Sequence, residues 1–134
     1  MRIAATETFS FNPTDTYLDL LDGGAVEVIP LTPEFWPELM SGKRDIKGRL
    51  TAAFHLADDI DHWEMHPAGD ELLVRLSGVF EVLLEEGGTT RRAVLDGAAC
   101  CCLVPKGAWH TIKVREAGEI LFVTPGAGTE HRPA

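Results

Sequence analysis

Glu64 and His66 stand two residues apart, and on a β-strand that spacing sends both side chains to one face while Trp63 and Met65 leave the other. The next four residues, Pro67-Ala68-Gly69-Asp70, have the composition of a tight turn. The turn carries the chain round so that Glu71 starts a returning strand near His66. A second imidazole must then come from elsewhere, and Pro105-Lys106-Gly107-Ala108-Trp109-His110 offers it as a turn followed by a strand beginning at His110. His62 shares the face of Glu64 and His66. At the entry of a strand it either extends the site or is simply solvated. His55, on a different strand, and His131, near the carboxyl end, have weaker claims.

Taken together, the two stretches resemble the paired motifs of the cupin superfamily. The first motif of that family has two His separated by one residue, a Glu four or five positions on and a closing Gly. Glu64 stands in the first His position, His66 in the second, Glu71 matches the Glu and Gly78 the Gly. The second motif has a Gly, a short strand, Pro-x-Gly-x-x-His and then Asn; here these are Gly97, the strand from Ala98 to Val104, Pro105, Gly107 and His110, with Val114 in place of the Asn. The resemblance runs over roughly residues 48 to 124. It implies an all-β chain, an antiparallel jelly-roll β-barrel, and it leaves the activity open, since isomerases, oxygenases, lyases, storage proteins and ligand sensors share the barrel.

The resemblance also implies a ligand set. His66, His110, Glu71 and Glu64 facing into one barrel would hold one divalent metal ion and leave positions for water or substrate. Neutral imidazoles and two ionised carboxylates cancel its charge. That favours manganese or ferrous iron slightly, with zinc and nickel as further candidates. The alternative is that Glu64 is an ordinary strand carboxylate and no metal is held. A carboxylate in an apolar barrel would then have a raised pKa and serve proton transfer instead. Arg75 interrupts an apolar strand and by period two falls with Glu71, where it holds a substrate carboxylate or phosphate; otherwise it faces outward and pairs with a surface Glu. Trp109 is expected either to wall the pocket or to be ordinary packing.

Positioning these residues requires a succession of short strands. Arg49 to Leu56, Val79 to Glu85, Thr90 to Leu95, Ala98 to Val104, Trp109 to Val114 and Glu119 to Thr124 are rich in apolar and β-branched residues, and Gly-containing turns separate them every eight to twelve residues. Such a pattern without alternating helices predicts an antiparallel sandwich or barrel. Thr32 as N-cap, Pro33 and Gly42 predict one short helix ahead of the barrel. Before it, Ala25 to Ile29 alternates as a strand, and Thr14 to Leu21 reads as strand or helical turn. Residues 125–134 read as a loose tail. Cys100-Cys101-Cys102 reads as small buried hydrophobes on a strand. Trp63 and Met65 need cover on the outer face. Phe35, Trp36 and Leu39 are one candidate; the other is a second copy of the chain, which would make a homodimer.

The chain has 134 residues, 45% hydrophobic and 25% charged, which suits a single domain spanning 1–134. A formal charge of −9 repels phosphate backbones and anionic membrane surfaces, so nucleic acid and membrane are not expected partners. The amino terminus, Met1 to Glu7, lacks the apolar stretch of a secretory signal, and three consecutive cysteines make a disulfide framework implausible. A cytoplasmic location is expected. The expected function is a small metal-binding cupin acting on a small polar organic molecule; the alternative is a non-catalytic module that senses or stores such a ligand.

Overall fold

The computed structural model describes Ile3–Ala4 and residues 9–134. Apart from the backbone of Ile3–Ala4, the stretch read above for a secretory signal lies outside the described residues. The elements are β1 (Ile3–Ala4), β2 (Thr16–Leu20), β3 (Val26–Pro30), α1 (Phe35–Ser41), β4 (Arg49–Leu56), β5 (His62–Met65), β6 (Glu71–Arg75), β7 (Val79–Glu86), β8 (Thr89–Leu95), β9 (Cys101–Val104), β10 (His110–Glu116), β11 (Gly118–Pro125) and β12 (Glu130–Pro133). They form a seven-stranded sheet, β1-β3-β2-β4-β11-β6-β9, and a five-stranded sheet, β12-β5-β10-β7-β8. Every pairing is antiparallel. From β4 onward the chain switches sheet at each connection except the β7–β8 hairpin, which winds the two sheets face to face as a jelly roll.

Period-two alternation decides what each strand contributes to the space between the sheets. Leu73, Phe80, Val82, Leu95, Val104, Ile112 and Ile120 form one buried cluster from both sheets. Tyr17, Ile29, Phe35, Ile46, Leu50 and Ala52 form a second, roofed by α1. The second cluster exists because the amino-terminal hairpin joins the barrel: β2 pairs with β4, and the Tyr17 ring meets Phe35 and Phe54 edge to face at 5.2 and 5.9 Å. Buried Asp19 accepts the backbone N–H groups of Lys47 and Gly48, both at 2.9 Å, and so fixes the loop that leads into β4.

Several sequence expectations need correction. The helix starts at Phe35 rather than at Pro33, without a side-chain cap, although the Thr32 carbonyl accepts the Phe35 N–H at 3.1 Å. Gly42, at φ 84°, ends it as expected. Residues 125–134 are no loose tail, because Glu130–Pro133 pairs with β5 and closes an otherwise open edge. The strand read from Ala98 begins at Cys101, since the Asp96 carboxylate takes the N–H groups of Ala98 and Ala99 into a turn. Cys100 and Cys101 are exposed rather than buried. Strand β9 is an edge strand, and only its alternate residues Cys102 and Val104 turn toward the other sheet. Phe35, Trp36 and Leu39 belong to the second cluster and do not cover Trp63 and Met65. Over Trp63 lies the Arg132 guanidinium, 5.3 Å from its ring centroid. No helix among the described residues is long and apolar enough to cross a membrane.

Candidate metal centre

Register places the site. Glu64 on β5 lies opposite His110 on β10 and, on its other side, opposite His131 on β12. His62 and His66 lie two residues before and after it on the same face. Four of the five histidines in the chain therefore surround one carboxylate, along the strand and across it. Glu71 approaches from the opposite sheet on β6, where Thr124 of β11 donates to its Oε2 at 2.5 Å. Two further bonds lock the motif turns together. Gly107 N–H donates to the His66 carbonyl at 3.0 Å, and Lys106 N–H to Asp70 Oδ1 at 2.8 Å. Gly107 sits at φ 77°, a left-handed conformation that side chains disfavour. Gly78, at φ 79°, is required twice over, because a Cβ there would stand 2.6 Å from the Glu116 carbonyl oxygen.

The inner groups face one another without satisfying one another. His110 Nε2 lies 2.9 Å from Glu71 Oε1, and His66 Nε2 lies 3.3 Å from Glu71 Oε2 and 3.7 Å from Glu64 Oε2. Neither imidazole is aligned to donate to Glu71, and His66 Nε2 and Glu71 Oε1 are buried without a hydrogen-bond partner. Meanwhile His110 Nδ1 lies 3.2 Å from the Ala108 carbonyl, which only accepts, so the proton belongs on Nδ1. His66 Nδ1 lies 2.9 Å from Thr129 Oγ1, whose own proton goes to the Gly126 carbonyl at 3.1 Å, with the same result. In their neutral form the two imidazoles therefore turn Nε2 lone pairs toward a carboxylate. Acceptors this close call for a positive charge between them, a proton or a metal ion. Burial works against an ionised Glu71, but the contacts and charges of His110 and His66 more than offset it and hold its pKa at about 2. Burial likewise opposes a charged His110, yet the Glu71 carboxylate beside it pushes its pKa up.

Three of the four donors, Glu64, His66 and His110, converge as the ligands of one ion must. Ligands at about 2.0–2.2 Å from one ion stand about 3 to 3.5 Å apart, close to the separations above. Ligand atoms of Glu64, His66 and His110 all lie within 4.8 Å of one another, and Glu71 touches both imidazoles. The second-sphere contacts of Thr129, Ala108 and Thr124 are those that orient metal-binding imidazoles and carboxylates.

Beside this centre opens a cavity of about 730 Å³. Glu64, His66, Thr124, Thr129 and His131 line it on the polar side, and Trp36, Leu39, Phe54, Leu56, Ile60 and Phe122 supply apolar wall from both core clusters. Arg75 and Trp109 are not on that wall. The Arg75 side chain curls back to donate from Nε to the Gly78 carbonyl at 2.6 Å. Trp109 lies under Arg132, whose guanidinium is 4.7 Å from its ring centroid. The sequence missed Thr129, Thr124 and Arg44, and it undervalued His131. Arg44 lines the cavity with its Nε buried and unpartnered.

No family model and no curated protein matches the sequence. Among solved structures the chain is similar to hydroxypropylphosphonic acid epoxidase from S. wedmorenis in complex with fosfomycin, at 16% identity over 57% of this chain and 43% of that one, with a TM-score of 0.48. A TDP-quinovose 3,4-ketoisomerase from Campylobacter jejuni gives 15% identity over 56% and 60%, with a TM-score of 0.49. Oxalate oxidase gives 17% over 61% and 45%, with a TM-score of 0.49. This chain thus spans between 43% and 60% of the length of these proteins. What defines its architecture is its own geometry: an antiparallel two-sheet jelly roll of cupin-like form, with His66, Glu71 and His110 brought together between the sheets from the positions the two motifs mark.

Proposed function

We propose that the chain binds one divalent metal ion through His66, His110, Glu71 and Glu64 and uses it on a small organic molecule held in the adjoining cavity. One observation carries the reading: buried Nε2 and carboxylate lone pairs face one another at 2.9 to 3.7 Å, with His66 Nε2 and Glu71 Oε1 unpartnered. Two carboxylates and two neutral imidazoles balance a divalent charge, which suits manganese or iron, with zinc and nickel also matching the donor types. When bound, the metal supplies Lewis-acid polarisation of a carbonyl or enolate oxygen, or, as iron, a place for oxygen chemistry, which spans the isomerase, lyase and oxygenase classes. The chain's own residues do the rest. Thr129 and the Ala108 carbonyl hold the two imidazoles in the Nδ1–H form, Thr124 pins Glu71, and Phe54, Phe122 and Trp36 give the adjoining cavity an aromatic wall.

The same wall describes the substrate: an apolar body with a polar group at the end toward Glu64 and His66 and a hydrogen-bond acceptor toward Arg44, whose Nε is unpartnered while its Nη2 pairs with Glu38 at 3.4 Å. We place the protein in the cytoplasm, on the support of three free cysteines, two of them exposed. We also propose a homodimer through the outer face of the five-stranded sheet, where Trp63 and Met65 remain half-buried in one copy. Elemental analysis of protein purified without chelator or a nickel column tests the metal. The parent is expected to carry at least one equivalent and His110→Ala about one fewer; equal metal content in both would refute the ligand set.

A further inference from the structure

Glu64 has two oxygens, and they face different partners. Oε2 points to His66 of the inner centre at 3.7 Å, whereas Oε1 lies 3.0 Å from His62 Nε2 and 3.2 Å from His131 Nε2. The three outer groups form a second convergent set whose ligand atoms all lie within 4.8 Å of one another. Its separations match two ligands sharing one ion at about 2.1 Å. The outer imidazole of His62 is also oriented, with Nδ1 3.0 Å from Asp61 Oδ1, an acceptor that turns the Nε2 lone pair toward Glu64. The rings of His62 and His131 stand 5.2 Å apart, inclined at 54°, much as those of His66 and His110 stand 5.1 Å apart at 50°. Strand pairing builds the arrangement, since β12 sets His131 directly opposite Glu64.

We propose that Glu64 is a bridging ligand between two metal ions: an inner ion on His66, His110 and Glu71, and an outer ion on His62 and His131. The bridging role rests on the inner centre proposed above; the outer ligand set stands on its own contacts. Paired ions bridged by a carboxylate clamp an oxygen-bearing substrate from two sides. His131 and Glu64 both line the cavity, so the outer ion faces the ligand space and the chemical class it selects is an oxygen-rich group such as a carboxylate. This gives the Glu in the first motif position a purpose that a His there cannot serve, because one imidazole nitrogen cannot reach two ions on the same side.

The test titrates metal-stripped protein with manganese(II) and reads stoichiometry by equilibrium dialysis and spin coupling by electron paramagnetic resonance. The parent is expected to take up about two equivalents with a coupled signal, and His131→Ala and His62→Ala about one each, uncoupled. His110→Ala should also hold about one, in the outer set. His131 is 37% exposed at its side chain, so its loss leaves the core intact; unfolding temperature measured with chelator confirms that the variant is folded. Uptake of about one equivalent by the parent, unchanged in His131→Ala but lost in His110→Ala, would overturn the outer ion and leave the inner one standing. Two equivalents without spin coupling would overturn the bridge. No uptake by the parent would overturn both, leaving His62 simply hydrogen-bonded between Asp61 and Glu64.

Discussion

Replacing Glu71 by Gln keeps the shape of the side chain and removes its charge, so it separates an ion pair from a metal ligand. In the metal-free chain Glu71 is held at about 2 against an ordinary 4.5, because the imidazoles outweigh the penalty of burial. At 1.36 kcal/mol per pH unit this stabilises the folded chain by about 3 kcal/mol near neutral pH. The Gln amide recovers about 1 kcal/mol by donating to an imidazole nitrogen that now meets a donor. The variant should therefore lose about 2 kcal/mol in the presence of chelator. With free metal at a hundred times its Kd the parent gains about 2.7 kcal/mol that the variant forfeits, so the loss grows to about 5 kcal/mol. Urea unfolding reads both. At a slope near 2 kcal/mol per M, the midpoint should fall by about 1 M with chelator and about 2.5 M with metal. Equal losses under the two conditions would show that Glu71 serves only as a buried ion-pair partner and would refute the metal reading.

The pH dependence has a definite sign. Glu71 is depressed, so its contribution to metal-free stability is complete above 4.5 and is lost as pH falls toward about 2. His110 is raised, burial notwithstanding, because of Glu71; its contribution is complete below 6.5 and is lost as pH rises through the elevated value. An imidazole titration by NMR on chelated protein should therefore place His110 above 6.5, and a value below it contradicts the geometry. Thr129→Val removes the partner of His66 Nδ1; metal affinity in a competition titration should fall by about 10- to 100-fold, whereas a merely structural Thr129 would leave it unchanged. Charging the outer face with Trp63→Glu and Met65→Glu should turn the proposed dimer into a folded monomer in sedimentation, and a parent already monomeric at micromolar concentration sinks that proposal.

The local chemistry was legible in the sequence wherever a short period or a turn decides the outcome. Two-residue spacing put Glu64 and His66 on one face, Pro67 to Asp70 turned the chain, and the Pro105–Gly107 turn delivered His110, because backbone alternation and turn geometry depend on neighbours in the chain. Strand succession gave the all-β class for the same reason. What the sequence left open depends on register between distant strands. That His131 stands opposite Glu64 follows from the pairing of β12 with β5, and nothing within the last ten residues announces a partner some sixty-five positions earlier. The fate of Arg75 shows the same limit from the other side: period two assigned it to the face of Glu71, but at the end of its strand the guanidinium is captured by the Gly78 carbonyl. Cys101 read as buried from its apolar neighbours, yet it lies on an edge strand with one face turned outward. Sequence therefore determined which groups could do chemistry and roughly how each is held; only the docking of one sheet on the other, and of the terminal strand on its edge, decided that four imidazoles and two carboxylates meet, because burial and lone-pair opposition are properties of the assembled core.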